Sequence, residues 1–196
     1  MTFIRLAFRI LLTLLIVLVL IGLVLPSSAQ VSRTILIDAP VEAVFPHVNN
    51  MRRFHAWSPW TNVDPSTRYV FEGPEAGVGA SMRWYSGEEG IGEGSQRITA
   101  SEADQRVETR LEFGDKGEGV ATFELTPLDG GTEIRWTFST EFGWDIFGRY
   151  VGLLLDNMIG TAYDRGLRTL KESLEAAEPK GASAGGPASG VWPADR

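Results

Sequence analysis

Between Arg9 and Arg33 the chain carries no charge, and residues 10–25, ILLTLLIVLVLIGLVL, are aliphatic apart from Thr13 and Gly22. A helix of this composition has no polar face, so it does not suit the surface of a water-soluble domain. Residues 6–25 as a helix would span about 30 Å, at ~1.5 Å per residue. That length matches the ~30 Å hydrocarbon core of a bilayer. Arg5 and Arg9 precede the run, which orients the N-terminus to the cytoplasm and carries the rest across. Residues 1–30 therefore read as a transmembrane signal anchor. The competing reading is a cleaved signal peptide, because Ser27-Ser28-Ala29 before Gln30 resembles a small-residue cleavage site. The stretch is long against the ~7–15 apolar residues usual in a signal peptide, which favours the anchor. A buried core helix fits least. On either of the first two readings the following domain is extracytoplasmic, and periplasmic in a Gram-negative cell.

At the other end, residues 179–196 are mostly Gly, Ala, Ser and Pro and read as a disordered tail. Residues 31–178 remain for one folded domain, enough for one sizeable core and too few for two. The net charge is −7, and the first 30 residues contribute only Arg5 and Arg9 to it. An acidic domain argues against nucleic acid, whose phosphates need clustered Lys and Arg. It also argues against a domain lying flat on an anionic membrane. There is no cysteine, hence no disulfide, zinc–thiolate site or iron–sulfur cluster. His47 and His55 are the only histidines, too few for a His-rich metal site. No metal and no cofactor is expected, and no oligomeric state is read from the sequence.

Val31–Asp38, VSRTILID, reads as a strand closed by Ala39-Pro40. Asp38 is placed to cap a helix and Pro40 suits its first turn. Val41, Val44, Phe45 and Val48 recur at helical spacing, so a short helix is expected over 40–48, with a second over 50–56. From Ser66 to Glu141 the pattern alternates with period two, broken by Gly73-Pro74, Gly87–Gly90, Asp104, Gly114–Gly117 and Asp129–Gly131. Short linkers between the six runs imply an antiparallel meander. Ile134, Trp136 and Phe138 alternate with Glu133, Arg135, Thr137 and Ser139, giving one apolar and one wet face. Val151, Leu155, Met158, Ala162, Leu167, Leu170 and Leu174 then form one stripe, which predicts a single helix over about 148–177. The order is β-α-α-β6-α, an α+β chain in which a curled sheet of about seven strands is covered by the long final helix.

That order resembles the SRPBCC or START-like superfamily, most of all its polyketide cyclase/dehydrase branch. The resemblance rests on Ile37-Asp38-Ala39-Pro40 with Val44-Phe45, Trp57-Ser58-Pro59-Trp60, and Gly73-Pro74 before Gly77-Val78-Gly79-Ala80. Gly92-Glu93-Gly94, Gly130-Gly131-Thr132 and the helix around Met158-Ile159-Gly160 complete it, over residues 31–177. It implies a helix-grip fold with an apolar cavity between sheet and helix. It also implies a hydrophobic small molecule or lipid as partner. Some relatives are cyclases, dehydratases or hydrolases, but the resemblance transfers no catalytic motif, and a fold does not settle a function.

The residues expected to line such a cavity are Trp57, Trp60, Met82, Trp84, Gln96, Trp136, Phe138, Leu155, Met158 and Ala162. The Trp57/Trp60 indoles suit a cavity mouth and Gln96 the single polar contact that orients an apolar ligand. For each aromatic, plain core packing is the competing reading. His47 and His55 lack partners at a ligating or catalytic spacing, and His55 beside Arg52-Arg53 reads as solvated. Arg83, Arg97, Arg110 and Arg135 should face solvent with Glu108, Glu112, Glu124 and Glu133 across the strands. Gly77-Val78-Gly79 and Gly92-Glu93-Gly94 lack a phosphate-loop setting and read as strand bends. Gly160 and Gly166 read as sites of close helix–sheet packing. The resulting expectation is a membrane-anchored extracytoplasmic binding module. The alternatives are an enzyme on the same fold and an envelope scaffold with a filled core.

Overall fold

In the computed structural model, residues 2–61, 63–88 and 91–177 are described. The expected tail, 179–196, lies outside the described residues. The apolar run forms α1, Thr2–Val24. Phe3–Val24 has a mean hydropathy of 2.9, long and apolar enough to cross a membrane. The domain then runs β1 Ser28–Ile37, α2 Val41–Val48 and α3 Met51–Trp57. β2 Arg68–Glu72, β3 Ser81–Tyr85, β4 Glu93–Glu102, β5 Arg106–Glu112, β6 Glu118–Leu128 and β7 Gly131–Glu141 follow. They form one seven-stranded sheet in the order β1-β7-β6-β5-β4-β3-β2, antiparallel throughout. The helix-grip α+β architecture expected from the sequence is the one observed.

β1 begins three residues earlier than the β-branched pattern suggested, because Ser28 and Ala29 pair with Glu141 and Thr140. A cut after Ala29 would remove those two outermost pairs. Asp38 does not cap α2. Pro40 holds the cap position without a side-chain bond, and the Asp38 N–H instead donates to Glu175 Oε1 at 2.9 Å. α3 is capped by Asn50, whose Oδ1 accepts from the Arg52 and Arg53 N–H groups at 2.9 and 3.1 Å. The outer sheet face is salt-laced as expected, though with partly different partners: Arg135 faces Glu124, while Arg110 takes Glu118 and Arg83 takes Glu72.

The single long helix is not observed. α4 spans Ile146–Gly152, a turn follows, a wide π-turn covers Asp156–Gly160, and α5 spans Thr161–Ala177. Hydrophobic period alone could not show this break. At the break, Arg33 of β1 reaches the C-terminal segment. The guanidinium bonds both Asp156 oxygens at 2.9 and 3.1 Å and Asp164 at 3.2 Å. A Cβ on Gly160 would overlap that guanidinium, so the close approach expected at Gly160 is to an arginine rather than to the apolar sheet face. The core fills the space between the sheet and α2, α3 and α5, around Phe54, Trp57, Phe123, Trp136, Tyr163 and Leu170.

Candidate functional site

Beside this core lies a cavity of about 300 Å³, at the lower end of the ~300–1,000 Å³ usual for ligand sites. Three strands make one wall at a shared register. Met82 on β3 pairs with Gln96 on β4, which pairs with Leu111 on β5. Trp84 and Phe113 extend that wall, their rings 6.0 Å apart, and Phe113 meets Phe138 of β7 at 6.3 Å. Glycine permits the arrangement. A Cβ at Gly94 would overlap the Trp84 indole and the Glu112 carbonyl, and one at Gly119 would overlap the Phe138 ring. Phe54 and His55 of α3, with Ser58, Trp60, Thr61 and Val63 beyond it, make the opposite wall. Leu155, Ile159 and Tyr163 close it from the C-terminal segment.

Of the residues singled out in the sequence, Trp60, Met82, Trp84, Gln96, Phe138 and Leu155 border this cavity. Four do not. Trp57 is 3 % exposed in the core, its indole N–H donating to the His47 carbonyl at 3.1 Å. Trp136 is 1 % exposed and stacked between Tyr163 and Phe123. Ala162 is buried outside the cavity wall, and Met158, 62 % exposed, points away from the core. The π-turn explains Met158, because it shifts the phase of the stripe that α5 buries. Sequence reading placed His55 in solvent beside Arg52-Arg53, whereas its ring is partly buried against Tyr69 and Phe71 on the cavity wall; Tyr69 and Phe113 were passed over. A signal for His55 was present: Met51, Phe54 and His55 share the i, i+3, i+4 face of α3.

Gln96 is the buried polar group of the wall, 3 % exposed. Its Nε2 donates to Thr109 Oγ1 at 3.0 Å, and Thr109 Oγ1 donates to the Ala121 carbonyl at 3.3 Å. A hydroxyl has one proton. Since Thr109 gives its proton to Ala121, it must accept from Gln96, and this fixes which way the amide faces. The Gln96 oxygen then has no protein partner among the described residues. It is an acceptor at the edge of an apolar cavity.

His55 packs against Tyr69, with ring centroids 4.2 Å apart, and against Phe71 at 5.7 Å. Burial pushes its pKa below the ordinary imidazole value. Thr61 Oγ1 donates to the His55 carbonyl at 2.5 Å and lies 3.1 Å from His55 Nδ1. By the same one-proton logic, Nδ1 of the neutral ring carries the hydrogen and Nε2 is left as the basic nitrogen. Burial raises the Tyr69 and Tyr163 phenols, so both stay protonated donors. The loop carrying Trp60 and Thr61 is tied down by Asp64. Ser86, Ser66 and Thr67 hydroxyls and the Ser66 N–H all donate to its carboxylate. Those bonds, Ser86 first, hold its pKa at about 2. Among the described residues no three His, Asp or Glu side chains gather as metal ligands. A second, more polar recess of about 250 Å³, bordered by Arg52, Glu72 and Glu75, lies at the edge of α3 and β2.

Residues 28–175 match the family model described as polyketide cyclase / dehydrase and lipid transport. No curated protein sequence matches at a significant level. Among solved structures, a Staphylococcus aureus protein of unknown function is similar over 76% of this chain and 94% of its own, at 9% identity and a TM-score of 0.58. A Mesorhizobium loti protein covers 76% and 98%, at 18% identity and 0.53. The Aha1 dimer of Colwellia psychrerythraea covers 75% and 96%, at 18% identity and 0.51. At such identities the likeness is one of fold.

Proposed function

Since the chain belongs to the polyketide cyclase / dehydrase and lipid-transport family, we propose that it is a membrane-anchored extracytoplasmic module that holds a hydrophobic small molecule or lipid in the cavity between sheet and C-terminal segment. The observation that carries this reading is the cavity itself: mostly aromatic and aliphatic walls, with Gln96 Oε1 as a buried, oriented acceptor. Such a site favours an apolar body bearing a single donor, a hydroxyl or a protonated carboxyl. The open interior weighs against a scaffold with a filled core. α1 supports the anchor, and Arg5 and Arg9 ahead of it support an outward-facing domain.

Delipidated full-length protein should take up a fluorescent fatty acid or sterol saturably, at about one molecule per chain. Native mass spectrometry of protein purified gently from its own membranes should show a retained lipid and the intact N-terminus together. No saturable uptake of either probe would defeat the binding reading.

A second reading is favoured by His55. A neutral imidazole oriented by Thr61, with Nε2 free, can act as a general base. A cyclase-type enzyme would use it to take a proton from carbon next to a ligand carbonyl. Turnover of a poly-β-ketone by the protein, lost in His55→Gln with uptake retained, would move the balance to catalysis.

A further inference from the structure

α1 and the domain meet at α4. Arg149, 9 % exposed, makes its side-chain hydrogen bonds to backbone carbonyls, with no ion pair among the described residues. Its Nη1 donates to the Gly22, Leu23 and Leu25 carbonyls at 3.3, 3.0 and 3.2 Å, and its Nε and Nη2 donate to the Gly143 carbonyl at 3.1 and 2.6 Å. The Gly22 and Leu23 carbonyls are among those a helix C-terminus leaves without intrahelical partners, Leu25 directly follows α1, and the negative end of the helix dipole lies there. Tyr150 Oη donates to the Leu18 carbonyl at 2.7 Å. α4 thus lies alongside the last two turns of the apolar helix, at their depth. Gly22, the buried residue of α1, makes this approach possible, because a Cβ there would overlap Ile146.

The outer side of the same segment is apolar and uncovered. Among the described residues, ten large hydrophobic side chains outside α1 are exposed. Five of them fall between Trp144 and Met158: Trp144 at 86 %, Phe147 at 77 %, and Leu153, Leu154 and Met158 near 60 %. Residues 146–155 contain no acid in an otherwise acidic domain. A patch of this kind marks a contact surface. Its continuity with α1 says which, because whatever medium surrounds the exposed aliphatic face of α1 at Leu18–Val24 also reaches α4. An indole at the rim of an aliphatic surface is the pattern of a membrane interface. From the same segment Leu155 and Ile159 turn inward to the cavity.

We propose that the Trp144–Met158 segment is seated in the lipid interface around the C-terminal end of α1, so that an acyl chain passes from that leaflet directly into the adjoining cavity. This rests on the anchor and cavity readings above. The full chain is reconstituted in phosphatidylcholine vesicles brominated near the headgroup. Tryptophan emission should be quenched, and Trp144→Phe should remove most of the quenchable emission. Quenching unchanged in Trp144→Phe, or Trp144 as open to aqueous acrylamide as in lipid-free protein, overturns the seat. A fluorescent fatty acid is then offered by two routes, in vesicles and in cyclodextrin. A Phe147→Ser/Leu154→Ser variant should load about tenfold more slowly from vesicles, and as fast as wild type from cyclodextrin. Equal rates for variant and wild type from vesicles overturn direct passage. Equal slowing by both routes overturns it too, since the substitutions then act on the cavity. If wild type loads by neither route, the cavity reading has failed, and the quenching alone decides the seat.

Discussion

Trp136 of β7 and Tyr163 of α5 stack face to face, with ring centroids 3.6 Å apart and planes 11° from parallel. This contact packs the C-terminal helix on β7, the strand next to the β1 edge of the sheet, beside the cavity. The Trp136 indole N–H, fully buried, has no acceptor among the described residues. Trp136→Ala should therefore cost ~3–5 kcal/mol, the loss of a large buried aromatic. Trp136→Phe keeps most of the stack and deletes the orphan donor, whose burial costs ~1–3 kcal/mol, so it should stay within ~1.5 kcal/mol of wild type. Urea unfolding of both variants checks this. Equal losses would mean that the indole nitrogen is bonded after all.

Gln96→Leu should separate the polar from the apolar part of ligand recognition. A neutral hydrogen bond contributes ~0.5–1.5 kcal/mol net, so affinity for a hydroxyl-bearing probe should fall about twofold to tenfold. Affinity for the matching hydrocarbon should hold or rise. Competition titrations with the pair of probes read the difference directly. A parallel loss for both would show that Gln96 supports the wall without touching the ligand.

His47 and His55 predict a pH dependence of stability. Burial lowers both imidazoles, and Arg53 adds to the effect at His47. The unfolded chain takes up its protons near pH ~6.5, before the folded protein does. Unfolding therefore gains protons in that window, and stability falls as pH drops through about 6.5. Above about pH 7.5 the histidines contribute no slope. The urea midpoint should drop from about pH 8 to about pH 5.5, and both ring resonances should titrate below the free value. Midpoints that coincide would contradict the lowered imidazoles. Asp64 acts in a separate window, its contribution being present above the usual carboxylate pKa and lost as pH approaches about 2.

Gly22→Leu should free α4 from α1 without making α1 less apolar. The new side chain occupies the space of Ile146, and Arg149 then loses its carbonyl partners. Amide exchange over 146–154 should rise by about tenfold or more, as for a segment that opens locally, while β6 and β7 amides keep their protection. Unchanged exchange at Tyr150 would show that α4 is held by the domain alone.

Much of this protein was legible in its residues because two periods repeat over long stretches. The unbroken aliphatic run to Leu25, the alternation of Ile134, Trp136 and Phe138, and the helical spacing of Leu167, Leu170 and Leu174 each declare an element and its buried face. Together with the turn glycines, these carry the element order and the antiparallel sheet. The same alternation placed Trp84 and Phe138 on the covered face, while the cavity itself was implied only by the family resemblance. Local pattern does not carry phase across a defect or distance between strands. At the break between α4 and α5, Asp156 and Asp164 pair with Arg33, more than a hundred residues earlier, a contact no local pattern announces. The π-turn there leaves Met158 outward, while packing of α3 and α5 on the sheet leaves Trp57 and Trp136 as core and sets His55 at the cavity wall. The amide orientation of Gln96 likewise depends on Thr109 and Ala121, two strands across the sheet. Burial periodicity is a property of one segment, and it determined the fold. Which buried side chains meet an open space depends on long-range charge pairing and packing, which only the assembled tertiary structure brings together.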